Sequence, residues 1–388
     1  MTSADIKTAA RSCPTPFYLY DMSLLSETIS AVKAAAASPE FKVHYAMKAN
    51  AEMPILEAVR DAGFGVDTVS GGEIRRALEC GFPAEKIVYA GVGKTDSEID
   101  LGLQAGIGCF NVESIEELEI IAERSERLGI QANVALRVNP DIDAHTHHYI
   151  TTGLAENKFG ISLSMLDRAI DIANNSKWLR LNGLHFHIGS QITDLTPYKI
   201  LCDRINSLLE RMEDKGVTFK SINVGGGLGI DYDHPHENPL PDFKAYFNVF
   251  SRNLRLRPGQ EVHFELGRSI VAQCGSLITK VIYVKKGIEK KFVIVDAGFT
   301  DLIRPALYQA VHKIDNVTSA SKVTETYDIV GPICESSDVF ASEVSLPQTS
   351  RGDLIAILSA GAYGSVMAMQ YNCRQLPGAV FLSQGNAL

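Results

Sequence analysis

The chain has 388 residues, is 45% hydrophobic and carries a formal net charge of −9, which suits one large barrel or two to three ordinary domains. The spread of 31 glycines and 15 prolines excludes disorder and collagen-like repeats, and the acidic balance without a Lys/Arg stripe argues against nucleic acid as a partner. No run approaches the ~18 apolar residues of a membrane span, and seven cysteines without a CxxC pair point away from disulfides and structural zinc.

At the N-terminus, MTSADIKTAARSCPTP has no apolar stretch fit for a signal peptide, so a cytoplasmic protein is expected. TPFYLYD (15–21) reads as a strand. Eight short apolar runs follow: Val43–Ala46, Gly65–Val69, Ile87–Ala90, Cys109–Val112, Asn133–Val138, Gly183–Ile188, Ser221–Val224 and Val262–Glu265. The first five begin about 22 residues apart, room for a strand, a helix and two loops. Between them lie segments such as Ile115–Leu128, apolar at i, i+3 and i+4 and charged elsewhere. The Ala34–Ala37 run falls in an ordinary helix. Strand–helix alternation predicts a parallel sheet, and eight units predict a (β/α)8 TIM-like barrel ahead of the alternative, an open doubly wound sheet. Beyond residue 275 the runs Leu277–Val284, Phe292–Val295, Asp328–Val330, Leu354–Leu358 and Val380–Leu382 lack intervening helices and predict an antiparallel β-domain, with which TPFYLYD can pair. The expected division is a barrel over 24–275 and a sandwich- or barrel-like β-domain from 1–23 and 276–388.

Chemistry in such a barrel sits at the C-terminal ends of its strands. The first strand runs into Lys48. An amine there is disfavoured unless paired or reactive, and desolvation frees its lone pair for attack on a carbonyl. A lysine that merely caps the barrel mouth is the plain alternative. The sixth strand carries His185 and His187 on one face, with Gly189 and Ser190 following; a satisfied core histidine is the commoner case. The histidines at 145, 147 and 148 suggest metal, but lack a carboxylate partner and helical spacing, so no metal is expected. The seventh strand ends in Gly225, Gly226 and Gly227, whose N–H groups are free of Cβ obstruction toward an anion. This is not a dinucleotide GxGxxG, and it falls late in the chain. The eighth ends in Glu265, Leu266, Gly267 and Arg268, where Glu265 either holds a protonated ring nitrogen or simply pairs with Arg268. A reactive lysine, a ring-covering histidine, a phosphate cradle and a carboxylate together form the minimal holder for pyridoxal 5'-phosphate.

YAMKAN (45–50), SGGEI (70–74), GVGKT (91–95), NVES (111–114), RVNP (137–140), TGLAENKFGI (152–161), HIGSQ (187–191), GGGLG (225–229), CESSD (334–338) and GAYGSVMAMQYN (361–372) stand in chain order. In this the sequence resembles the fold-type III pyridoxal-phosphate decarboxylases, an alanine racemase-like fold, and most closely the diaminopimelate decarboxylase family. The resemblance implies Lys48 as the lysine that holds the cofactor covalently, His187 stacking on its ring, and Ser190, Gly226 and Gly227 at the phosphate. It implies Glu265 as the partner of the ring nitrogen, with Gly267 and Arg268 in the same turn and Tyr363 near phosphate and substrate. Arg268, Arg304, Tyr308, Tyr363 and Glu335 are implied for the substrate, and Cys334 as proton donor. It further implies a homodimer in which Cys334 and Glu335 serve the partner's site, and decarboxylation of meso-2,6-diaminopimelate to L-lysine. Leu266 departs from the family's usual proline, which puts the rigidity of that turn in question.

The distal end of diaminopimelate carries a carboxylate and an ammonium, so its site needs both arginine and acid, and Arg268, Arg304 and Glu335 supply them. A decarboxylase of another basic amino acid or a carboxylated polyamine meets a cationic tail and gains nothing from arginine there. An alanine racemase-like activity, a non-catalytic pyridoxal-phosphate carrier and a dinucleotide oxidoreductase are the remaining alternatives. They have no use, respectively, for the CESSD segment, for the β-domain residues Cys334, Glu335 and Tyr363, or for a glycine run so late in the chain.

Overall fold

In the computed structural model, residues 2–140, 142, 158–383 and 386–387 are described. Strand β1 (Phe17–Asp21) comes first, and eight strands then follow: β2 (Phe41–Ala46), β3 (Gly65–Thr68), β4 (Ile87–Tyr89), β5 (Cys109–Val112), β6 (Ala132–Arg137), β7 (Leu179–His185), β8 (Ser221–Asn223) and β9 (Glu261–Leu266). These eight pair in sequence order, all parallel, and β9 returns to β2 to close the barrel. Each expected run is a barrel strand, with ends shifted by a few residues. The segment Ile115–Leu128 is a helix over the expected span. Ser114 caps it by accepting from Glu117 N at 3.1 Å, and Gly129 ends it at φ 68°. The helix Met22–Ala35 stops midway through the alanine run, because Ser38–Pro39 just beyond disfavours helical backbone.

Side chains alternate across a strand, so fixing one residue of β9 fixes the others. Phe264 packs among Phe41, Phe247 and Phe250 at centroid distances of 5.0, 4.8 and 5.1 Å, edge to face, and so anchors β9 against the helix Phe243–Asn253. Its neighbours His263 and Glu265 are thereby turned to the barrel interior. Leu266 is fully buried in β9 opposite Tyr45, so the strand runs to its turn without a proline.

The other strands are β10 (Gly275–Lys286), β11 (Lys291–Val295), β12 (Ile314–Asn316), β13 (Thr324–Val330), β14 (Val339–Pro347), β15 (Leu354–Ile357), β16 (Gly378–Ser383) and β17 (Asn386–Ala387). With β1 they form a sheet system of order β14-β13-β11-β10-β1-β16-β17, with β12 and β15 joined through β10. The expectation of an antiparallel domain needs one correction: β1 pairs parallel with β16, and β11 parallel with β13. Strands β12 and β14 lie outside the expected runs; β14 is largely polar and shows little apolar signal. A helix Ser3–Ser12, closed by a Thr2/Asp5 capping box, places Ile6 and Ala9 on a core of Phe17, Leu19, Ile278 and Ala356.

By compactness the chain divides into Ile29–Gly229 with Asp242–Gly267, and Met1–Thr28 with Ile230–Pro241 and Arg268–Leu388. Residues 230–241 thus group with the β-sheets rather than with the barrel as expected from sequence, since Tyr232 in that segment is bonded to Arg268 and Arg304.

Candidate active site

Within the barrel unit, polar side chains converge at the C-terminal end. Glu265 is buried and its carboxylate accepts from Asn223 Nδ2 at 2.7 Å and Asn111 Nδ2 at 3.2 Å on Oε1, and from His185 Nε2 at 3.1 Å on Oε2. Burial alone pushes this carboxyl up; the His185 imidazole beside it, with Lys48, outweighs burial and holds it well below the ordinary carboxylate range. Three of its roughly four lone-pair positions are used, which leaves one for a further N–H donor.

Lys48 lies on the single 3-10 turn Met47–Ala49 that follows β2. Its side chain is 40% exposed, so the desolvation expected of a strand-end lysine is only partial. Its Nζ stands 3.6 Å from Asp67 Oδ2, which is fully buried on β3. Neither oxygen of Asp67 has a hydrogen-bond partner among the described residues. Burial first, then the charge of Glu265, push the Asp67 carboxyl well above its ordinary range, against the pull of Lys48. Two buried carboxyls pushed in opposite directions mark a site with divided acid–base roles.

His187 follows β7. Burial, with Arg137 and Lys48 adding like charge, lowers it well below an ordinary histidine, so its ring is neutral. Its Nδ1 accepts from Gly226 N at 3.3 Å, which leaves the ring proton on Nε2. The loops after β7 and β8 are stitched together by Ile192 N to Gly227 O and Gly229 N to Ile192 O, both 2.9 Å. A Cβ on Gly226 would sit 1.9 Å from Glu265 O, and Gly227 has φ +104°, so only glycine lets this loop lie so close to β9. Ser190 is half-buried in the first of these loops, and Gly267 ends the turn after β9. The motifs without an assigned role support the site from behind. Lys94 of GVGKT pairs with Glu117 at 2.6 Å and donates to Asn111 O at 2.8 Å, and Glu113 of NVES pairs with Arg137 of RVNP at 2.7 Å.

Within the β unit, Arg268 and Arg304 are both buried and each donates Nη1 to Tyr232 Oη, at 2.7 and 2.9 Å. Arg268 also lies over the Tyr363 ring at 4.9 Å, and Tyr308 is near enough to act on its charge. Cys334 and Glu335 are exposed on one loop, where Glu335 Oε1 accepts from Tyr371 Oη at 2.8 Å. The histidines at 145, 147 and 148, and most of TGLAENKFGI, lie outside the described residues.

Sequence reasoning missed Asp67, Asn111, His185 as a donor, Asn223, Tyr232 and His312. The signal for the strand residues was present: a polar side chain in a short apolar run, at the period that faces the barrel interior.

Three donors fixing one ionised carboxylate, a glycine loop that a Cβ would block and a lysine beside a buried acid fit pyridoxal phosphate. A family model described as pyridoxal-dependent decarboxylase, pyridoxal binding domain, matches residues 24–272. A diaminopimelate decarboxylase of Bacteroides thetaiotaomicron is 59% identical over 95% of each chain. The crystal structure of diaminopimelate decarboxylase from Helicobacter pylori complexed with L-lysine superposes with TM-score 0.93 at 39% identity, over 98% of this chain and 95% of that one. A lysine/ornithine decarboxylase from Vibrio vulnificus, complexed with putrescine, has TM-score 0.83 at 22% identity over 98% of each chain and shares the fold.

Proposed function

The chain belongs to the diaminopimelate decarboxylases, within the pyridoxal-dependent decarboxylases, and on that premise we propose how its own residues carry the reaction. It is a carboxy-lyase that takes meso-2,6-diaminopimelate to L-lysine and CO2, the last step of lysine biosynthesis, with pyridoxal 5'-phosphate as cofactor. The cofactor, when bound, supplies an electron-withdrawing ring that takes up the electron pair left as CO2 departs.

Lys48 is the residue that would hold the cofactor through its aldehyde. Asp67, whose carboxyl burial and the charge of Glu265 push well above its ordinary range, stands 3.6 Å from Lys48 Nζ and is placed to exchange a proton with that amine. Glu265 would keep the ring nitrogen protonated, because Asn111, Asn223 and His185 fix its carboxylate in the ionised form. His187, as a neutral imidazole, would cover the ring, and Ser190, Gly226, Gly227 and Tyr363 would take the phosphate, with Gly267 and Arg268 in the turn after β9. Arg268, Arg304, Tyr308 and Tyr363 hold the carboxylate that stays, and Glu335 the distal ammonium. Cys334 delivers the proton that completes L-lysine. The cofactor-binding domain is proposed to be the barrel expected over residues 24–275, less the segment 230–241 and the residues from Arg268 on, which group with the β-sheets.

The exposure of Cys334 and Glu335, two residues assigned to chemistry, supports a homodimer in which each subunit lends them to its partner. Mixing Lys48→Ala with Cys334→Ala restores activity under that arrangement, whereas a site built within one subunit leaves the mixture inactive. No helix of the described residues is long and apolar enough to cross a membrane, and the soluble amino-acid substrate supports a cytoplasmic location.

The observation that carries this reading is the ionised Glu265 under three side-chain donors. Its test is CO2 release from diaminopimelate, ornithine, lysine and arginine measured side by side. Diaminopimelate turns over fastest on this account, and faster release from any of the others overturns the substrate assignment.

A further inference from the structure

Tyr232 receives two buried cations on one oxygen. Its Oη lies 2.7 Å from Arg268 Nη1 and 2.9 Å from Arg304 Nη1. A phenol has two lone pairs and one proton, so both lone pairs are committed and the O–H remains. Guanidinium groups have no acceptor, and among the described residues no hydrogen bond takes the Tyr232 proton. Arg304 is further occupied by His312. The His312 Nδ1–H donates to Leu358 O at 2.8 Å, so Nε2 presents its lone pair and accepts from Arg304 Nη1 at 2.9 Å. Burial, with the charge of Arg304, lowers His312 to about 3, which keeps that lone pair available. Both Nη1 hydrogens of Arg304 are thus used, and its Nε and Nη2 edge is left with the geometry that takes a carboxylate in bidentate fashion. Among the described residues Arg304 has no carboxylate within ion-pairing distance, and burial together with Arg268 disfavours its charge. Two like charges gathered on one hydroxyl that has a proton to give form a site for an anion with two oxygens.

We propose that Tyr232 is a substrate-binding residue: its hydroxyl gathers Arg268 and Arg304 around the carboxylate that the reaction leaves in place and donates its own proton to that carboxylate, with His312 as the positioning residue behind Arg304. The assignment rests on the substrate reading above, and deepens it.

The test compares L-lysine, which keeps this carboxylate, with 1,5-diaminopentane, which lacks it. Binding of each to the cofactor-loaded protein is followed by calorimetry, in wild type and in Tyr232→Phe. The dissociation constant for L-lysine rises about tenfold or more in the variant, and that for 1,5-diaminopentane stays within about twofold because its contacts do not involve the hydroxyl. In turnover, KM for diaminopimelate rises by a larger factor than kcat falls. Equal movement of both ligands, or of neither, overturns the proposal. Should Tyr232→Phe fail to load cofactor, His312→Phe is measured in the same way; there too L-lysine weakens alone, and equal movement overturns the proposal. Failure of wild type to release CO2 from diaminopimelate would defeat the substrate reading instead, and is seen without any variant.

Discussion

Asn111 and Glu265 lie on strands four places apart around an eight-strand barrel, and Asn111 Nδ2 donates to Glu265 Oε1 at 3.2 Å across its interior. With Asn223 and His185 it makes the barrel's upper core a rigid polar cluster centred on one carboxylate. Removing that charge should leave the fold and cofactor binding in place while costing chemistry. Glu265→Gln is expected to retain the cofactor's visible absorbance and to lose about a hundredfold in kcat. Asn223→Leu, which removes the shortest donor, should cost about 1–3 kcal/mol of stability, read from urea unfolding.

Asp338 sets the loop that carries Cys334 and Glu335. It is buried, its Oδ1 accepts from Phe299 N at 2.6 Å and its Oδ2 from Ile333 N at 2.7 Å. A Cβ on Gly331 would lie 2.3 Å from Oδ2, so the glycine makes room for the carboxylate. Asp338→Asn puts an NH2 group against one of two N–H donors. It is expected to destabilise by about 1–3 kcal/mol and to lower turnover, with cofactor absorbance unchanged. Thermal unfolding and a rate assay on the same sample check both.

Cys334→Ala should keep cofactor binding and lose turnover by about a hundredfold or more, the range of a lost general acid. A protein that only carries pyridoxal phosphate would be indifferent to this substitution.

His44 and His263 are stacked inside the barrel unit, with His44 Nε2 2.9 Å from His263 Nδ1. Burial lowers His263 to about 4 and His44 to about 3. In the unfolded chain each titrates near 6.5, so between about pH 6.5 and 4 the unfolded state binds the extra proton and stability falls as pH falls. Raised acids such as Asp67 oppose this in the same range, and a difference between two proteins removes them. His263→Gln should flatten the loss of unfolding free energy over that window by about 1.4 kcal/mol per pH unit. Parallel curves for wild type and variant would show that His263 is already charged in the folded protein.

Much of the fold was legible because barrel strands buried on both faces read as short apolar runs at a regular interval. The second domain was less so. Strand β14 is largely polar, β12 has three residues, and the β1–β16 pairing joins the two ends of the chain, which local pattern does not reveal. In the barrel unit the strand-end residues Lys48, His187, Gly226 and Glu265 stood at positions that any such barrel uses for chemistry. Their supports did not stand out. Asn111, Asn223 and Asp67 are single polar residues inside apolar runs, whose meaning depends on which strands face each other across the interior. Tyr232 lies in a loop with no period at all, and only the fold brings its hydroxyl to Arg268 and Arg304.

The most direct measurement is borohydride reduction of the cofactor-loaded protein followed by peptide mapping by mass spectrometry. The reduced cofactor should be found on the peptide containing Lys48, with loss of visible absorbance and of activity. Label on a different lysine, or none on a protein that still turns over diaminopimelate, would contradict the assignment on which the roles of Asp67, His187 and Glu265 depend.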